Sequence, residues 1–268
     1  MNFFFLLSLL FPVLGLAFDV KPWFRRPFEF EGDAAFILSH YPSIQNATSH
    51  YSSTDQLLRF DLGVAPTPSW DFQIETECER TRKNAWSYLS FGMQARRLWF
   101  DDILGDTVSL TTNFSFRAVA ARFLRDPSCL YHGNINFEGG VALGKEYAPW
   151  ESWTNRFYLY ALLGIGNKGA PYFSGLFSLE RNFCDRHQFE GKLSTLIGFG
   201  DHDSVHPRHF HGYASIQHRS LDLTVGYHYL FDIWGKINCL LTYRLYAHCC
   251  PEHFWSLEFS YCFPFCPF

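Results

Sequence analysis

Large apolar side chains recur at every second position just before the C-terminal tail. The stretch runs from Trp255 to Phe263, with Leu257, Phe259 and Tyr261 in phase and small or polar residues between them. A period of two places alternate side chains on opposite faces of a β-strand. One face of this strand must therefore meet an apolar environment, either a protein core or the lipid of a membrane.

The same alternation recurs along the chain in runs of about 10 residues, the span of a tilted transmembrane strand, whereas ordinary strands average about 5 to 6. Turn-like separators such as 66–69 and 167–171 divide the runs, and no helical pattern is present. The clear runs are 58–64, 70–77, 108–118, 135–143, 189–199, 221–229, 236–245 and 255–263, and the weaker ones are 29–38, 86–96, 155–166, 172–181 and 209–218.

These runs predict an all-β fold, a single closed antiparallel transmembrane β-barrel of about 12 strands, because an open sheet edge cannot sit in lipid and bacterial single-chain barrels have even strand numbers. The run at 29–38 is the one expected to lie outside the wall or to merge with a neighbour. Aromatic residues make up 19% of the 268 residues, which suits a barrel with two interfacial girdles. The net charge of -4 gives no basic footprint for nucleic acid.

The N-terminal residues resemble an export signal. An apolar run covers 3–16, and the small residues Gly15 and Ala17 precede a cleavage position, although no Lys or Arg comes before the run. The longest apolar stretch beyond it, 157–166, is about half of the roughly 20 residues that a spanning helix needs. We predict a cleaved signal at 1–17, a barrel at 18–263 and a tail at 264–268, with no membrane helix in the exported chain.

The alternating ending resembles the C-terminal signature of Gram-negative outer-membrane barrel proteins, in which an aromatic residue closes the last strand. Here Phe263 holds that place and Tyr261 precedes it by two, whereas residues 264–268 extend beyond the usual end. The resemblance implies a bacterial outer-membrane location, surrounding lipid and insertion by the barrel assembly machinery. The many cysteines also resemble the disulfide-linked envelopes of chlamydia-like bacteria, which implies disulfide-linked envelope proteins as partners.

If the large residues face lipid, their alternates face the lumen. Those charged alternates either pair into a partly plugged interior or line a small pore that selects solutes. A 12-stranded barrel lies between filled 8-stranded and open 16-stranded ones, so both alternatives stay open. The most one-sided part is acidic, at 71–79, and predicts a preference for cations if the lumen is open. The predicted lumen-lining residues are Arg59, Asp61, Asp71, Glu75, Glu77, Arg117, Glu138, Arg156, Glu190, Lys192, Asp222, Arg244 and Glu258.

Histidines cluster at 202–218 beside two aspartates. His209 and His211, with His206 nearby, share one face if 209–218 is a strand, with Phe210 and Gly212 outward. Imidazoles at this spacing give a zinc-site hypothesis, against the alternative of a merely polar, His-rich loop. The sequence indicates no other cofactor.

Eight cysteines follow the signal. Cys78 and Cys239 fall in the outward phase and are expected to stay reduced in lipid. The candidates for disulfides lie in connections or in the tail, because export permits oxidation there. They are Cys129, Cys184, Cys249, Cys250 and Cys266.

Two other classes of protein remain as alternatives. A lipid-modifying hydrolase of the outer membrane would need a nucleophile beside a base, and Ser215 with His211, or Ser194 with Glu190, share predicted inward faces. No G-x-S-x-G and no H-E-x-x-H is present. A soluble, secreted, lipocalin-like binding barrel would need a second layer over its aromatic face, and the sequence offers no helices for one. The preferred interpretation is a structural or small-solute pore role.

Overall fold

The computed structural model describes residues 18–149, 152–231 and 234–265. Phe123–Arg125 and Pro207–His209 form short 3-10 turns, and no helix in these ranges could cross a membrane. The strands are β1 Phe30–Tyr41, β2 Ser43–Ile44, β3 Ser53–Thr67, β4 Trp70–Arg80, β5 Ser87–Phe100, β6 Ser109–Val119, β7 Ile135–Tyr147, β8 Asn155–Gly166, β9 Tyr172–Phe183, β10 His187–Gly198, β11 Arg219–Leu230, β12 Lys236–His248, β13 Pro251–Glu252 and β14 Trp255–Phe265.

Twelve of these strands close into one antiparallel barrel, which confirms the predicted fold. Each pairs with its neighbours in chain order, and β1 closes the wall by pairing with both β3 and β14. Phe36 of β1, for example, lies opposite Leu58 of β3 and Phe259 of β14. Closure leaves no unpaired edge, which is the condition for a sheet surrounded by lipid.

The period of two separates an apolar exterior from a polar interior. In β4, Phe72 and Ile74 are exposed on the outside, while Asp71, Gln73 and Glu75 are buried inside. The other barrel strands add exposed aromatic and aliphatic side chains around the circumference. A soluble barrel would need a layer over this surface, and no element of the described ranges covers it. The exterior therefore suits lipid, as in membrane barrels.

The two ends of the barrel differ in their connections. β1 begins and β14 ends at one end of the barrel, here called the terminal end, where strands are joined by short segments such as 68–69 and 184–186. The opposite end, here called the loop end, carries the long connections 42–52, 120–134 and 199–218. β2 and β13 pair across the loop end and join the first of these loops to the connection before β14. The loop end is thus a folded cap.

The structure corrects two of the weaker run assignments. The run at 29–38 is not outside the wall, because it forms most of β1, which makes the closing seam. The run at 209–218 is not a strand but part of the loop before β11. Phe210, predicted to face lipid, is 3% exposed and packs in the cap against Tyr213. Alternation there reflects packing of a loop rather than a pleated sheet.

The last strand continues past the predicted end of the barrel. β14 extends to Phe265, which pairs with Phe30 and stacks on its ring. Pro264 is accommodated because β12 pairs with β14 only as far as Cys262, so the strand has a free side at the proline. Residues 266–268, like the predicted signal at 1–17, lie outside the described residues.

Candidate functional site: the barrel lumen

The charged side chains predicted to line the lumen all lie on the inward-facing alternation of their strands. Eight of them border one central cavity of about 460 Å³, namely Arg59, Asp61, Glu77, Arg117, Glu138, Glu190, Lys192 and Glu258. The other five, Asp71, Glu75, Arg156, Asp222 and Arg244, form contacts elsewhere in the interior.

These charges pair across the strands rather than standing alone. Arg117 of β6 contacts both Glu75 and Glu77 of β4. Arg244 of β12 holds Asp222 of β11 through Nε to Oδ1 at 2.8 Å and Nη2 to Oδ2 at 3.2 Å. Pairing lowers the cost of burying charge, because an unpaired buried ion loses its hydration without compensation.

Two further arginines pair within a strand, with a neighbouring strand or across the closing seam. Arg59 of β3 contacts Asp61 at 3.1 Å and Glu258 of β14 at 2.7 Å, and so spans the seam at β1. Arg156 lies 2.5 Å from Glu146 of the neighbouring strand β7. The interior is therefore a network of ion pairs that holds the wall, with the central cavity left between them.

Residues 18–27, here called the N-terminal segment, enter the lumen from the terminal end. Lys21 contacts Glu180 at 2.5 Å and Glu190 at 4.0 Å, and Arg25 contacts Asp71 at 3.3 Å. Since these partners belong to strands β4, β9 and β10, the segment bridges opposite sides of the wall. It occupies space that a wide barrel would otherwise leave to water.

Further hydrogen bonds fix the segment in place. The Trp23 indole donates to Asp102 at 2.9 Å, and the Thr111 hydroxyl donates to the Pro22 carbonyl at 2.9 Å. Arg96 of β5 donates to the Lys21 carbonyl at 2.9 Å and holds Asp71 at 2.9 Å. The segment is therefore seated by the wall at several points.

Two glycines of the wall make room for this seat. A Cβ atom at Gly92 would lie 2.5 Å from the Phe18 ring, and one at Gly144 would lie 2.5 Å from Cγ of Pro22. Both distances are shorter than real Cβ contacts. Phe18 and Pro22 can therefore lie this close to the wall because Gly92 and Gly144 have no side chain.

The loop at 120–134, here called the inward loop, closes the loop end around the buried carboxylate of Asp126. That carboxylate accepts from the Tyr51 hydroxyl at 2.9 Å, from the Asn84 amide at 3.2 Å and from the Thr81 hydroxyl. Tyr41 contacts Ser128 at 2.7 Å. The inward loop is thus tied to strand ends on several sides of the barrel.

The inward loop also reaches the acidic row of β4. The Tyr131 hydroxyl donates to Glu77 at 2.7 Å, and the Cys129 thiol lies 3.1 Å from Glu79. Burial, together with the nearby Glu79 carboxylate, raises the pKa of the Cys129 thiol well above its usual value. The loop therefore supplies donors to two carboxylates of the acidic row, in addition to the pairing of Glu77 with Arg117.

Two buried histidines complete the cap beside the inward loop. His132 stacks on Tyr172 with ring centroids 3.8 Å apart, and the His218 ring lies 5.0 Å from that of His132. Burial lowers the pKa of His132 well below its usual value and lowers that of His218 to about 4. Both imidazoles are therefore neutral near pH 7.

The structure does not bring the loop histidines of the zinc-site hypothesis together on one strand face. His206, His209 and His211 lie in the loop 199–218 with exposed side chains, and no group of three or more potential metal ligands occurs in the described part of the chain. They do not share a strand face because their segment is not a strand. His206 instead contacts the Thr48 hydroxyl at 3.1 Å.

The cysteines of the described ranges are all free thiols. Cys249 and Cys250 are buried in the cap, and Cys250 contacts the Arg219 carbonyl at 3.2 Å. Cys184 is exposed at the terminal end. Cys78 and Cys239 are half-buried on the wall, and Cys266 lies outside the described residues.

The two serine–base pairs considered for a hydrolase do not form a catalytic pair. Ser215 and His211 belong to the loop 199–218 and not to one strand face. Ser194 and Glu190 do lie on the inner face of β10, but the Ser194 hydroxyl donates to the Asp222 carbonyl at 3.2 Å, while Glu190 contacts Lys192 and His228.

Several residues of the lumen escaped the sequence analysis. Arg96 and Glu180 are inward on the weak runs of β5 and β9, and their alternation with outward Arg97 and Arg181 blurred the contrast between faces. No local sequence pattern predicts the ion pairs of Lys21, because its partners Glu180 and Glu190 are more than a hundred residues away in sequence. Asp126 stands out only through its neighbours in space.

Solved structures of outer-membrane barrels share this fold. The crystal structure of the COG4313 outer membrane channel from Pseudomonas putida F1 matches with a TM-score of 0.67 at 10% identity, over 93% of this chain and 100% of that chain. The NanC porin matches with a TM-score of 0.57 at 8% identity, over 86% and 98%. The translocator domain of the autotransporter NalP from Neisseria meningitidis matches with 0.50 at 12%, over 88% of each.

No protein-family model and no curated protein matches the sequence. At identities this low, the likeness shows the fold alone. The fold is that of bacterial outer-membrane β-barrels, and the interior of this barrel has to be interpreted from its own residues.

Proposed function

We propose that this protein is an outer-membrane barrel that passes small solutes through its lumen, and that the described arrangement is its closed state. The observation that carries this proposal is the charged cavity of about 460 Å³, whose lining includes residues of the N-terminal segment and of the inward loop as well as of the wall. The N-terminal segment and the inward loop take no part in the ladders that close the barrel. The N-terminal segment could therefore leave the lumen without breaking the wall.

The exterior supports a location in the outer membrane. Its exposed apolar side chains would face lipid, and outer-membrane barrels place short turns in the periplasm and long loops outside. The terminal end would then be periplasmic, and the loop end would face the medium. On this proposal residues 1–17 are removed on export, and the barrel assembly machinery recognises β14.

The lining of the cavity supports a preference for cations. Ten carboxylate side chains border it, against six Lys and Arg side chains, of which Lys21 and Arg25 belong to the N-terminal segment. If the segment leaves, those two cations leave with it while most of the carboxylates remain. Rings of fixed charge favour the passage of counter-ions, so the open lumen should favour cations over anions.

Conductance of the refolded barrel in a planar bilayer tests the proposal. The double variant Lys21→Ala/Arg25→Ala removes the ion pairs that seat the segment, whereas Arg26→Ala removes an exposed cation from the same stretch and serves as the control. We expect discrete conductance steps from the double variant, more often than from the parent or the control. In a potassium chloride gradient, its reversal potential should indicate potassium selectivity.

Silence would contradict the channel. If the parent and the double variant are both folded, as heat-modifiable mobility reports, and neither conducts at any voltage, the barrel is a structural wall of the envelope. Conductance with a reversal potential that favours chloride would keep the channel and refute the assignment of selectivity.

The thiols support a separate proposal about partners. Cys184 is exposed in the short turn 184–186, which would face the periplasm. We propose that disulfides link this barrel to other envelope proteins through such connections. Non-reducing electrophoresis of native membranes should show a higher-mass band that Cys184→Ser abolishes, and an unchanged pattern would exclude Cys184 as the linking residue.

A further inference from the structure

A second cavity lies at the loop end, outside the central one. It has a volume of about 390 Å³ and is formed by the inward loop and by residues near 167–169 and 211–215, with Arg125 and Lys168 among its lining. Of its described lining residues, His132 is the one that also borders the central cavity. The two cavities are therefore separated at His132.

The imidazole of His132 is buried, but one of its ring nitrogens is not anchored by a hydrogen bond. The residue is 4% exposed, and its ring stacks on Tyr172 with the tilted His218 ring 5.0 Å away, yet its Nε2 atom has no hydrogen-bond partner in the described part of the chain. Tyr172 is anchored, since its hydroxyl donates to Glu138 at 2.6 Å. Rotation of the His132 ring would thus break no hydrogen bond at Nε2, while its stacking partner stays in place.

The backbone on either side of the histidine is fixed. The Asn136 side chain accepts from the Gly133 amide at 3.1 Å and donates to the Gly133 carbonyl at 2.8 Å. The amide of Tyr213 donates to the Tyr131 carbonyl at 3.0 Å. Any opening of this partition would accordingly have to come from the side chain and not from the loop that carries it.

We infer that His132 is the gate between the lumen and the outer cavity, and that a solute leaves or enters the loop end past its ring. This inference rests on the proposed channel function and names the residue that closes it on the outer side. No carboxylate is among the described lining residues of the outer cavity, whereas the central cavity is rich in them, so the gate also marks a change of sign along the route.

Truncation of the ring tests the gate. The test uses the Lys21→Ala/Arg25→Ala background, in which the N-terminal segment no longer limits the current. There, His132→Ala should raise the single-channel conductance roughly twofold or more, because it removes the side chain that separates the two cavities. His132→Phe keeps the ring and should conduct like the background. His211→Ala, which changes the lining of the outer cavity alone, is the matched control and should leave the conductance unchanged.

Free imidazole gives a second measurement. The ring-sized space left by His132→Ala should admit it, as cavities left by truncated side chains admit small rings. Millimolar imidazole at pH 8 should then lower the conductance of His132→Ala and leave the background and His132→Phe unaffected. Should His132→Ala fail to refold, His132→Asn, which also lacks the ring, takes its place in both measurements.

The outcomes separate the gate from the channel. If the background conducts but His132→Ala neither raises its conductance nor becomes sensitive to imidazole, the gate is refuted and the channel stands. If His211→Ala raises the conductance as much as His132→Ala, the partition is not specific to His132 and the inference also fails. If the background itself is silent, the proposed channel function has failed first.

Discussion

The Arg244–Asp222 pair allows a quantitative prediction for the stability of the wall. Both side chains are fully buried, and neither borders the central cavity. Truncation of Asp222 to Ala removes two of the three hydrogen bonds of the guanidinium and leaves the bond to the Pro251 carbonyl at 2.8 Å. Removal of one partner from a buried ion pair costs about 3–5 kcal/mol, because the other charge stays buried without compensation.

Replacement of both partners should cost less than removal of one. In Asp222→Leu/Arg244→Leu no charge is left behind, and the main loss is the donor to the Pro251 carbonyl, at about 1–3 kcal/mol. The predicted order of stability is therefore parent, then double variant, then Asp222→Ala. The reversal between the single and the double variant is the signature of a desolvated pair.

Urea unfolding of the refolded barrel in detergent micelles measures this order, with tryptophan fluorescence and unboiled electrophoretic mobility as the two probes. At a slope of roughly 1–3 kcal/mol per molar urea, Asp222→Ala should lower the midpoint by about 1 M or more. Asp201→Ala, which removes an exposed loop carboxylate, is the control. The reasoning is refuted if the midpoint of Asp222→Ala equals that of the control. It is also refuted if that midpoint does not lie below the midpoints of both the parent and the double variant.

Three further predictions concern the cap and the lumen. Burial lowers the pKa of His218 from 6.5 to about 4. As the pH falls, the His218 side chain is therefore protonated in unfolded chains at a higher pH than in folded ones. The free energy of unfolding should thus fall by about 3 kcal/mol between pH 6.5 and 4, and His218→Phe should flatten that dependence in urea titrations. Gly92→Val should displace Phe18 and increase open-channel events in a bilayer, whereas Gly139→Ala, with open space at Cβ, should not. Burial raises the pKa of Cys250 to about 11. Thiol labelling of the folded barrel at pH 8 should therefore modify Cys184 and leave Cys250 unmodified, which mass spectrometry can measure.

The wall could be predicted from the sequence because its signal is local. In β4 every second residue is apolar and the alternates are polar, so strand, face and environment follow from neighbouring positions. The thirteen charged residues assigned to the lumen came from the same phase. Where a loop happened to alternate, as around Phe210, the same reasoning produced a strand that does not exist.

The closures could not be predicted because their contacts are long-range. Lys21 meets Glu180, and Asp126 meets Tyr51, through pairings that no local period encodes. The segment 18–27 has neither alternation nor helical spacing, so its sequence gave no reason to place it inside the barrel. His132 is a single histidine in a loop, and its position between two cavities follows only from the folded cap.

The attachment of the N-terminal segment gives the barrel a direction. The segment joins β1 at the terminal mouth, where Phe28 adopts a left-handed backbone with φ of 62° and its amide donates to the Ala65 carbonyl at 2.8 Å. On the proposed function the segment would withdraw towards that mouth, whereas the His132 ring lies at the other end. The two closures would thus lie in series along the lumen, each accessible from a different side of the membrane. A solute or partner present on one side alone would open the closure on that side, and the other closure would still block the lumen.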